Sequence, residues 1–266
     1  MKGYRNGSVG GGALIGAAAL LLLVAALTGR GDMTSATLVL VGVGCFIGGV
    51  FVLTQYQGKS VPSWIAGLVT ADSVIDLARL CADLGLQGDA HLYPRDGKIV
   101  QVIPVGRLPP EALPPDDYSF ISGRYGGGVQ LLPPGRLLFD RLVSDYNLVV
   151  PDGMEGLCTA IREVGEEVLE IAEKVEAVPD GDLIVVRLSG YRLFDGCTAI
   201  QAASPKCCTM IGCPICSLFA CMAVAGLGRP CKIEHVSTDK KERSVRLLLH
   251  PLTDEAGSSE DNARET

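Results

Sequence analysis

The chain has 266 residues, with 23 Lys and Arg against 30 Asp and Glu and a formal net charge of −7. Its pI is near 5.0, so the basic surface of a nucleic-acid-binding protein is missing, and we expect no nucleic-acid partner. Acidity alone points to no other class of partner.

Two uncharged stretches near the N-terminus predict a transmembrane hairpin within residues 1–60. The spans run from about 9 to 28 and from about 36 to 56. About 20 helical residues cross a hydrocarbon layer ~30 Å thick, so each stretch is long enough to span the lipid bilayer. A cleaved signal peptide is the alternative for the first span, but a second span follows at once.

The basic residues near the span ends predict the orientation of the hairpin. Lys2 and Arg5 precede the first span and Lys59 follows the second, whereas only Arg30 lies in the turn. By the positive-inside rule, the protein is integral to the cell membrane with its soluble domain in the cytoplasm.

Each predicted span carries two glycines four residues apart, which permit close approach of helix backbones. They are Gly12 with Gly16 and Gly44 with Gly48. We expect them to pack the hairpin on itself, and a homodimer contact is the alternative.

Residues 61–252 predict one soluble α+β domain, because hairpin signals alternate with helical periodicity. A short amphipathic stretch surrounds Trp64, and the segment 108–115 is too rich in proline to be regular. The acidic tail 253–266 is predicted to be disordered. The predicted helices cover 71–84, 135–146, 191–203 and 214–225, and Gly85 and Gly226 end the first and the last of them. The predicted strands cover 90–93, 99–105, 118–122, 129–132, 182–188, 232–237 and 244–250, with Asp96-Gly97 as a hairpin turn between the first two.

Two further segments have a distinct pattern. Apolar residues recur at spacings of three and four from Leu157 to Val178, which predicts one long helix lying on the sheet, with a partner helix or a dimer contact as the alternative. Three glycines at 126–128 suggest a flexible loop rather than a phosphate-binding loop, because no Lys-Ser/Thr follows them.

Seven of the ten cysteines lie between residues 197 and 231. The spacing Cys208-x4-Cys213-x2-Cys216 is found in some [2Fe–2S] loops and also suits a zinc site. We therefore predict metal ligands at Cys207, Cys208, Cys213 and Cys216 and a zinc ion or iron–sulfur cluster as cofactor. Cys221 and Cys231 are alternative ligands.

Two other hypotheses explain the same cysteines in a reducing cytoplasm. Pro214 suits the first position of a helix, so Cys213 would be its N-cap and Cys216 would lie in its first turn, where a thiolate is favoured. In the other hypothesis the thiols only pack, as small apolar side chains. Disulfides become a further alternative if the domain faces outward.

The whole layout resembles an uncharacterised archaeal family with two N-terminal membrane spans and a soluble domain of unassigned function. The motifs that carry the resemblance are Tyr93-Pro94, Leu132-Pro-Pro-Gly-Arg-Leu137, Leu183-Ile-Val-Val-Arg-Leu-Ser-Gly190, Cys213-Pro-Ile-Cys-Ser-Leu-Phe-Ala-Cys221 and Gly228-Arg-Pro230. The resemblance implies an architecture and no activity. At the level of the fold, the domain is also similar to small-molecule-binding domains of the 4-vinyl-reductase type.

Three hypotheses about function follow. The first is a non-enzymatic, membrane-anchored binding, sensory or scaffold module. The second is a metal or thiol-redox module that uses the cysteine cluster. The third is binding of a lipid-linked ligand near the bilayer. Catalytic signatures such as a Gly-x-Ser-x-Gly elbow or a Walker loop are missing from the sequence, so we do not predict an enzyme.

Overall fold

A computed structural model of the chain describes residues 2–28, 33–55, 61–105, 119–123 and 126–252. It divides into two compact units, Met1–Val61 and Pro62–Thr266. The predicted tail and the proline-rich segment 108–115 lie outside the described residues.

The first unit is a pair of helices, α1 (Lys2–Thr28) and α2 (Met33–Gln55). Both are long and apolar enough to cross a membrane, since few polar groups interrupt their side-chain surface. Their large apolar side chains are mostly exposed, as expected of helices whose solvent is lipid. The predicted helical hairpin is confirmed in this sense.

The glycines at the contact between α1 and α2 differ from those predicted. A Cβ atom at Gly49 would lie 3.1 Å from the Gly11 carbonyl oxygen, whereas one at Gly12, Gly16, Gly44 or Gly48 would meet no atom of the described residues within 4 Å. The prediction that these four glycines pack the hairpin on itself is therefore wrong. Four-residue spacing identifies a helix face, but it does not say which face meets the partner helix.

The second unit is α+β, as predicted, and is built on one antiparallel sheet. Among the described residues the strand order is β3-β4-β2-β1-β7-β8-β6-β5. The strands are β1 (His91–Arg95), β2 (Lys98–Pro104), β3 (Phe120–Gly123), β4 (Gly126–Leu131), β5 (Lys174–Asp180), β6 (Leu183–Ser189), β7 (Cys231–Asp239) and β8 (Ser244–Pro251).

Helices pack on this sheet around a central apolar helix, α8. The helices of the second unit are α3 (Ser63–Asp83), α4 (Arg136–Asp145), α5 (Met154–Glu163), α6 (Phe194–Ala203), α7 (Lys206–Met210) and α8 (Pro214–Leu227), with a π-helical turn at Val164–Val168. The stretch Lys206–Leu227 is also apolar enough to span a membrane. However, 83% of its most apolar 18-residue segment is buried inside the protein. A helix that is apolar on all sides is expected in the core of a domain.

Several local predictions are confirmed. Asp96 and Gly97 both have positive φ and turn β1 into β2, as expected of an Asp-Gly hairpin. Gly85, with φ +79°, follows the end of α3. Helix α8 begins at Pro214 as predicted and is closed by Gly228 in the left-handed conformation, two residues after the predicted stop.

The predicted long helix across residues 157–178 is wrong. Helix α5 ends at Glu163, the π-helical turn follows, and Glu170, with φ +47°, redirects the chain. Val175 and Val178 lie on β5, which pairs with β6 along its whole length. Their spacing fitted a helical pattern by coincidence, because pairing with the next strand, β6, decided the structure of this segment.

Two other predictions also need correction. Helix α3 begins at Ser63 rather than Ala71, so the amphipathic stretch around Trp64 is its first turn. The glycines 126–128 are part of β4 rather than a loop. A Cβ atom at Gly128 would lie 2.8 Å from the Ile103 carbonyl oxygen, so glycine permits close contact with the neighbouring strand here.

Candidate functional site

The candidate site is formed around the chain between α7 and α8. Gly212, with φ +80°, turns the chain in this loop. The buried Gln101 on β2 anchors it, since its Nε2 donates hydrogen bonds to the carbonyl oxygens of Ile211 at 2.9 Å and Met210 at 3.4 Å. The start of α8 is therefore attached to the central part of the sheet.

Cys213 and Cys216 lie at the N-terminus of α8. Cys213 is the N-cap, with Pro214 following it, and its Sγ accepts a hydrogen bond from the Cys216 backbone N–H at 3.4 Å. The predicted placement of this thiol pair is confirmed. An N-cap sulfur takes up backbone N–H groups that have no partner within the helix.

Four buried thiols come together in the folded chain. Electrostatic interactions connect Cys197 of α6 and Cys208 of α7 with Cys213 and Cys216. The buried Tyr191 interacts with three of these cysteines. We call Cys197, Cys208, Cys213 and Cys216 the thiol cluster.

The remaining predicted ligands lie elsewhere. Cys207 interacts with its neighbour Cys208 but lines a separate pocket beside α3, while Cys221 and Cys231 are completely buried and interact with one another. Among the described residues, no group of three or more His, Cys, Asp or Glu is arranged to hold a metal ion. The zinc or iron–sulfur site at Cys207, Cys208, Cys213 and Cys216 stays a prediction.

The members of the thiol cluster have very different acidities. Hydrogen bonds from the Cys216 side chain and from the backbone of Cys216 and Ile215 lower the pKa of Cys213 from 9.0 to about 7, although burial opposes this shift. The bond to Cys213 and burial raise the pKa of Cys216 well above its usual value. Burial raises the pKa of Cys208 to about 12 and raises that of Cys197 as well. Cys213 is thus the most acidic thiol of the group, because donors to the charged form favour its thiolate.

A small cavity of about 60 Å³ adjoins Cys213 and Cys197. Tyr191 forms part of its wall, and Gly67 and Thr70 of α3 line it as well. Helix α3 approaches closely here, because a Cβ atom at Gly196 of α6 would lie 2.3 Å from the Gly67 carbonyl oxygen. The two glycines allow α3 to cover the thiol cluster.

A larger pocket of about 450 Å³ lies between α3 and the α6–α7 segment. We call it the α3–α7 pocket. Most of its lining is apolar, and the polar groups are on Arg79, Gln87, Ser204 and Lys206. Its volume is within the usual range for small-molecule sites, about 300 to 1,000 Å³. The apolar lining residues are Ile75, Ala78, Ala82, Leu86, Ala203, Cys207 and Met210.

Two cations and no acidic residue line the α3–α7 pocket. Lys206 forms an ion pair with Asp89 at 2.6 Å, and Arg79 lies 3.8 Å from Asp76. The Arg79 pair is largely exposed and the Lys206 pair is partly exposed, so solvent weakens both interactions. An anion at the pocket can therefore interact with both cations.

Cys197 was not among the ligands predicted from the sequence, and no sequence pattern predicted the α3–α7 pocket. Cys197 lies 16 residues before Cys213, outside the compact spacing that drew attention to the later cysteines. Its helical segment carried a signal in retrospect, since Phe194, Cys197 and Ile200 share one buried face. The pocket had no such signal, because α3 and α7 are more than a hundred residues apart.

Comparisons with known proteins identify the family. The model of a domain of unknown function, DUF7982, matches residues 3–248. No curated protein and no solved structure matches the chain. Because the family model covers both the apolar hairpin and nearly all of the α+β unit, the chain belongs to the DUF7982 family.

Proposed function

We propose that the protein is a membrane-anchored module that binds a small amphipathic anion in the α3–α7 pocket. The observation that carries this proposal is the combination of an apolar lining with Arg79 and Lys206 at the same opening. The apolar surface would bury a hydrocarbon body, while the two cations would select a carboxylate or phosphate group. The proposal is the first hypothesis from the sequence, a membrane-anchored binding module, with an amphipathic anion as the class of ligand.

The membrane anchor agrees with this ligand class. An amphipathic anion concentrates at bilayer surfaces, and α3 starts eight residues after the end of α2. The likeness to 4-vinyl-reductase-type domains supports a small-molecule site in the same way, although it depends on sequence layout alone. The archaeal character of the family likewise stays an expectation.

The test uses the full chain in nanodiscs of neutral phosphatidylcholine, with empty nanodiscs as the blank. Binding of radiolabelled octanoate is measured and compared with that of octanol, which has the same chain length without the charge. We expect saturable binding of octanoate above the blank. The double variant Arg79→Glu/Lys206→Glu should lose this binding because it reverses both charges.

Two further variants make the result specific. Lys174→Glu reverses an exposed, ion-paired lysine on β5 that does not line the pocket, and it should bind octanoate like the wild type. Ala82→Leu adds volume at an exposed position of the lining, and it should weaken octanoate and octanol alike. Equal octanoate binding by the wild type, the double variant and Lys174→Glu would rule the proposal out.

The source of the ligand is a separate question. Mass spectrometry of protein purified in mild detergent should show a copurified fatty acid or anionic lipid if the ligand comes from the bilayer. If only soluble carboxylates bind, the copurified fraction should contain none. Either result is compatible with a binding site in the α3–α7 pocket and identifies the source of its ligand.

A further inference from the structure

We propose that Cys213 and Cys216 are a reversible oxidation site, at which a small hydroperoxide converts the two thiols into a disulfide. The inference is independent of ligand binding in the α3–α7 pocket. Three observations support it: the arrangement of the two sulfurs, the cavity beside Cys213 and the burial of both residues.

The two cysteines are arranged to form an intrahelical disulfide. They are three residues apart across the first turn of α8, and the Cys213 Sγ already accepts a hydrogen bond from the Cys216 backbone N–H at 3.4 Å. Side chains three apart within a helix have Cβ atoms about 5 to 6 Å apart, and Cys213 is the residue directly before the helix. A disulfide needs Cβ atoms about 3.5 to 4.5 Å apart, which a small adjustment of the helix N-terminus provides.

The cavity determines which oxidant can reach the pair. Cys213 is 9% exposed and Cys216 is 2% exposed, so the disulfide of another protein cannot approach either sulfur. The neighbouring cavity of about 60 Å³ has room for a few water-sized molecules, since holding one water takes about 10 to 15 Å³ of such space. Hydrogen peroxide is of this size, whereas bulky organic hydroperoxides are too large.

The reaction balances with hydrogen peroxide as the oxidant. The Cys213 sulfur, after giving up its proton, attacks one oxygen of the peroxide, the O–O bond breaks, and hydroxide leaves and takes up a proton to form water. Cys213 is now a sulfenic acid. The Cys216 sulfur then attacks the Cys213 sulfur, the S–O bond breaks, and the departing hydroxide takes the Cys216 proton to form a second water. Two thiols lose two electrons in total, and one peroxide becomes two waters.

The position of Cys213 favours the first step. Its Sγ accepts the backbone N–H of Cys216 at the N-terminus of a 14-residue helix, which stabilises a sulfur anion. Cys216 lies next to it and can resolve the sulfenic acid. Cys208 and Cys197 also belong to the thiol cluster, so the experiment must distinguish their disulfides from the proposed one.

The experiment uses the full chain in nanodiscs, purified anaerobically in the reduced state. The protein is treated with hydrogen peroxide, free thiols are alkylated with N-ethylmaleimide in denaturant, and peptides are mapped by fragment mass spectra. We expect a Cys213–Cys216 disulfide, visible as loss of two hydrogen atoms and of both alkyl labels. Dithiothreitol should reverse it.

Three variants test the order of the steps. Cys216→Ser should stop at the sulfenic acid, which dimedone traps on Cys213 when it is added together with denaturant. Cys213→Ser should form neither product, and it should still fold because serine is a good N-cap. Cys221→Ser removes a buried thiol of the same helix that does not line the cavity, and it should leave the disulfide unchanged.

Other results would overturn the proposal. A stoichiometric zinc or iron content in the anaerobic protein would show that these thiols are metal ligands. A disulfide that joins Cys197 or Cys208 to either residue of the pair would show a different site. Equal rates with hydrogen peroxide and cumene hydroperoxide would show that oxidation does not proceed through the small cavity.

Discussion

Cys213 is the residue on which the chemistry of the thiol cluster depends. It is the cap of α8, and it is the one member of the cluster with a lowered pKa. Its sulfur therefore contributes to folding and to reactivity through the same hydrogen bonds. A substitution at this position affects both, so each must be measured separately.

The lowered pKa of Cys213 predicts a pH dependence of stability. A group whose pKa is depressed by folding stabilises the native state fully above its unfolded pKa, and this contribution is lost as the pH falls through the folded pKa. For Cys213 the window lies between 9.0 and about 7. We therefore expect the Tm of the wild type, relative to that of Cys213→Ser, to be higher at pH 8.5 than at pH 6.5.

The measurement is a thermal melt under reducing conditions at both pH values. The Cys221→Ser variant is the control, because burial raises the pKa of the Cys221 thiol to about 12. The difference in Tm between this variant and the wild type should therefore be the same at both pH values. If the difference in Tm between the wild type and Cys213→Ser is the same at both pH values, the assignment of the lowered pKa to Cys213 is contradicted.

At the scale of elements, the contact between α3 and α6 depends on two glycines. Gly67 and Gly196 meet where the helices cross, and a Cβ atom on Gly196 would overlap the Gly67 backbone. This contact covers the small cavity, and α3 also forms a wall of the α3–α7 pocket. A change in how α3 lies on α6 would therefore alter both.

We expect Gly196→Ala to destabilise the protein by about 1 to 3 kcal/mol, the usual cost of overpacking. The backbone of α3 has to move, because no flexible side chain can yield at this contact. The free energy of unfolding is measured by denaturant titration of the second unit's far-UV signal in the full chain.

The control, Ala202→Gly, lies on the exposed side of the same helix. It should cost about 1 kcal/mol through helix propensity alone. If propensity decided the outcome at both positions, Gly196→Ala would be stabilising and the two variants would differ in sign. A stabilised Gly196→Ala protein would thus contradict the close contact.

The elements also show where sequence patterns were informative. Turns and caps such as Asp96-Gly97 and Cys213-Pro214 were predictable because their causes lie within a few residues of the chain. The segment around Val175 was not, because its apolar spacing suited a helix while its hydrogen-bond partners on β6 lay beyond the next turn. Strand pairing supplies free energy that a local pattern does not contain.

At the scale of the whole molecule, the orientation of the hairpin is a prediction that a labelling experiment can test. The distribution of Lys2, Arg5, Arg30 and Lys59 predicts a cytoplasmic α+β unit. Nine of the ten native cysteines are buried and Cys45 is half-buried within an apolar helix, so the native background should be low. Ser144 of α4 is exposed and provides a reporter position.

We expect Ser144→Cys to react with a membrane-impermeant maleimide only after the cells are permeabilised. The wild type is the control for background labelling, and a cysteine in a periplasmic or extracellular protein is the positive control for intact cells. Labelling of Ser144→Cys in intact cells would reverse the orientation. Disulfides would then become the expected state of the thiol cluster.

By itself, the sequence determined the presence of two apolar helices of spanning length, the α+β class, several turns and the cap of α8. These features depend on composition and on neighbours within a few residues. Only the tertiary structure decided which thiols meet, because Cys197 and Cys213 are brought together by the packing of α3, α6 and α8. It also decided where a ligand pocket opens, since the two walls of the α3–α7 pocket come from distant parts of the chain and no local pattern encodes their contact.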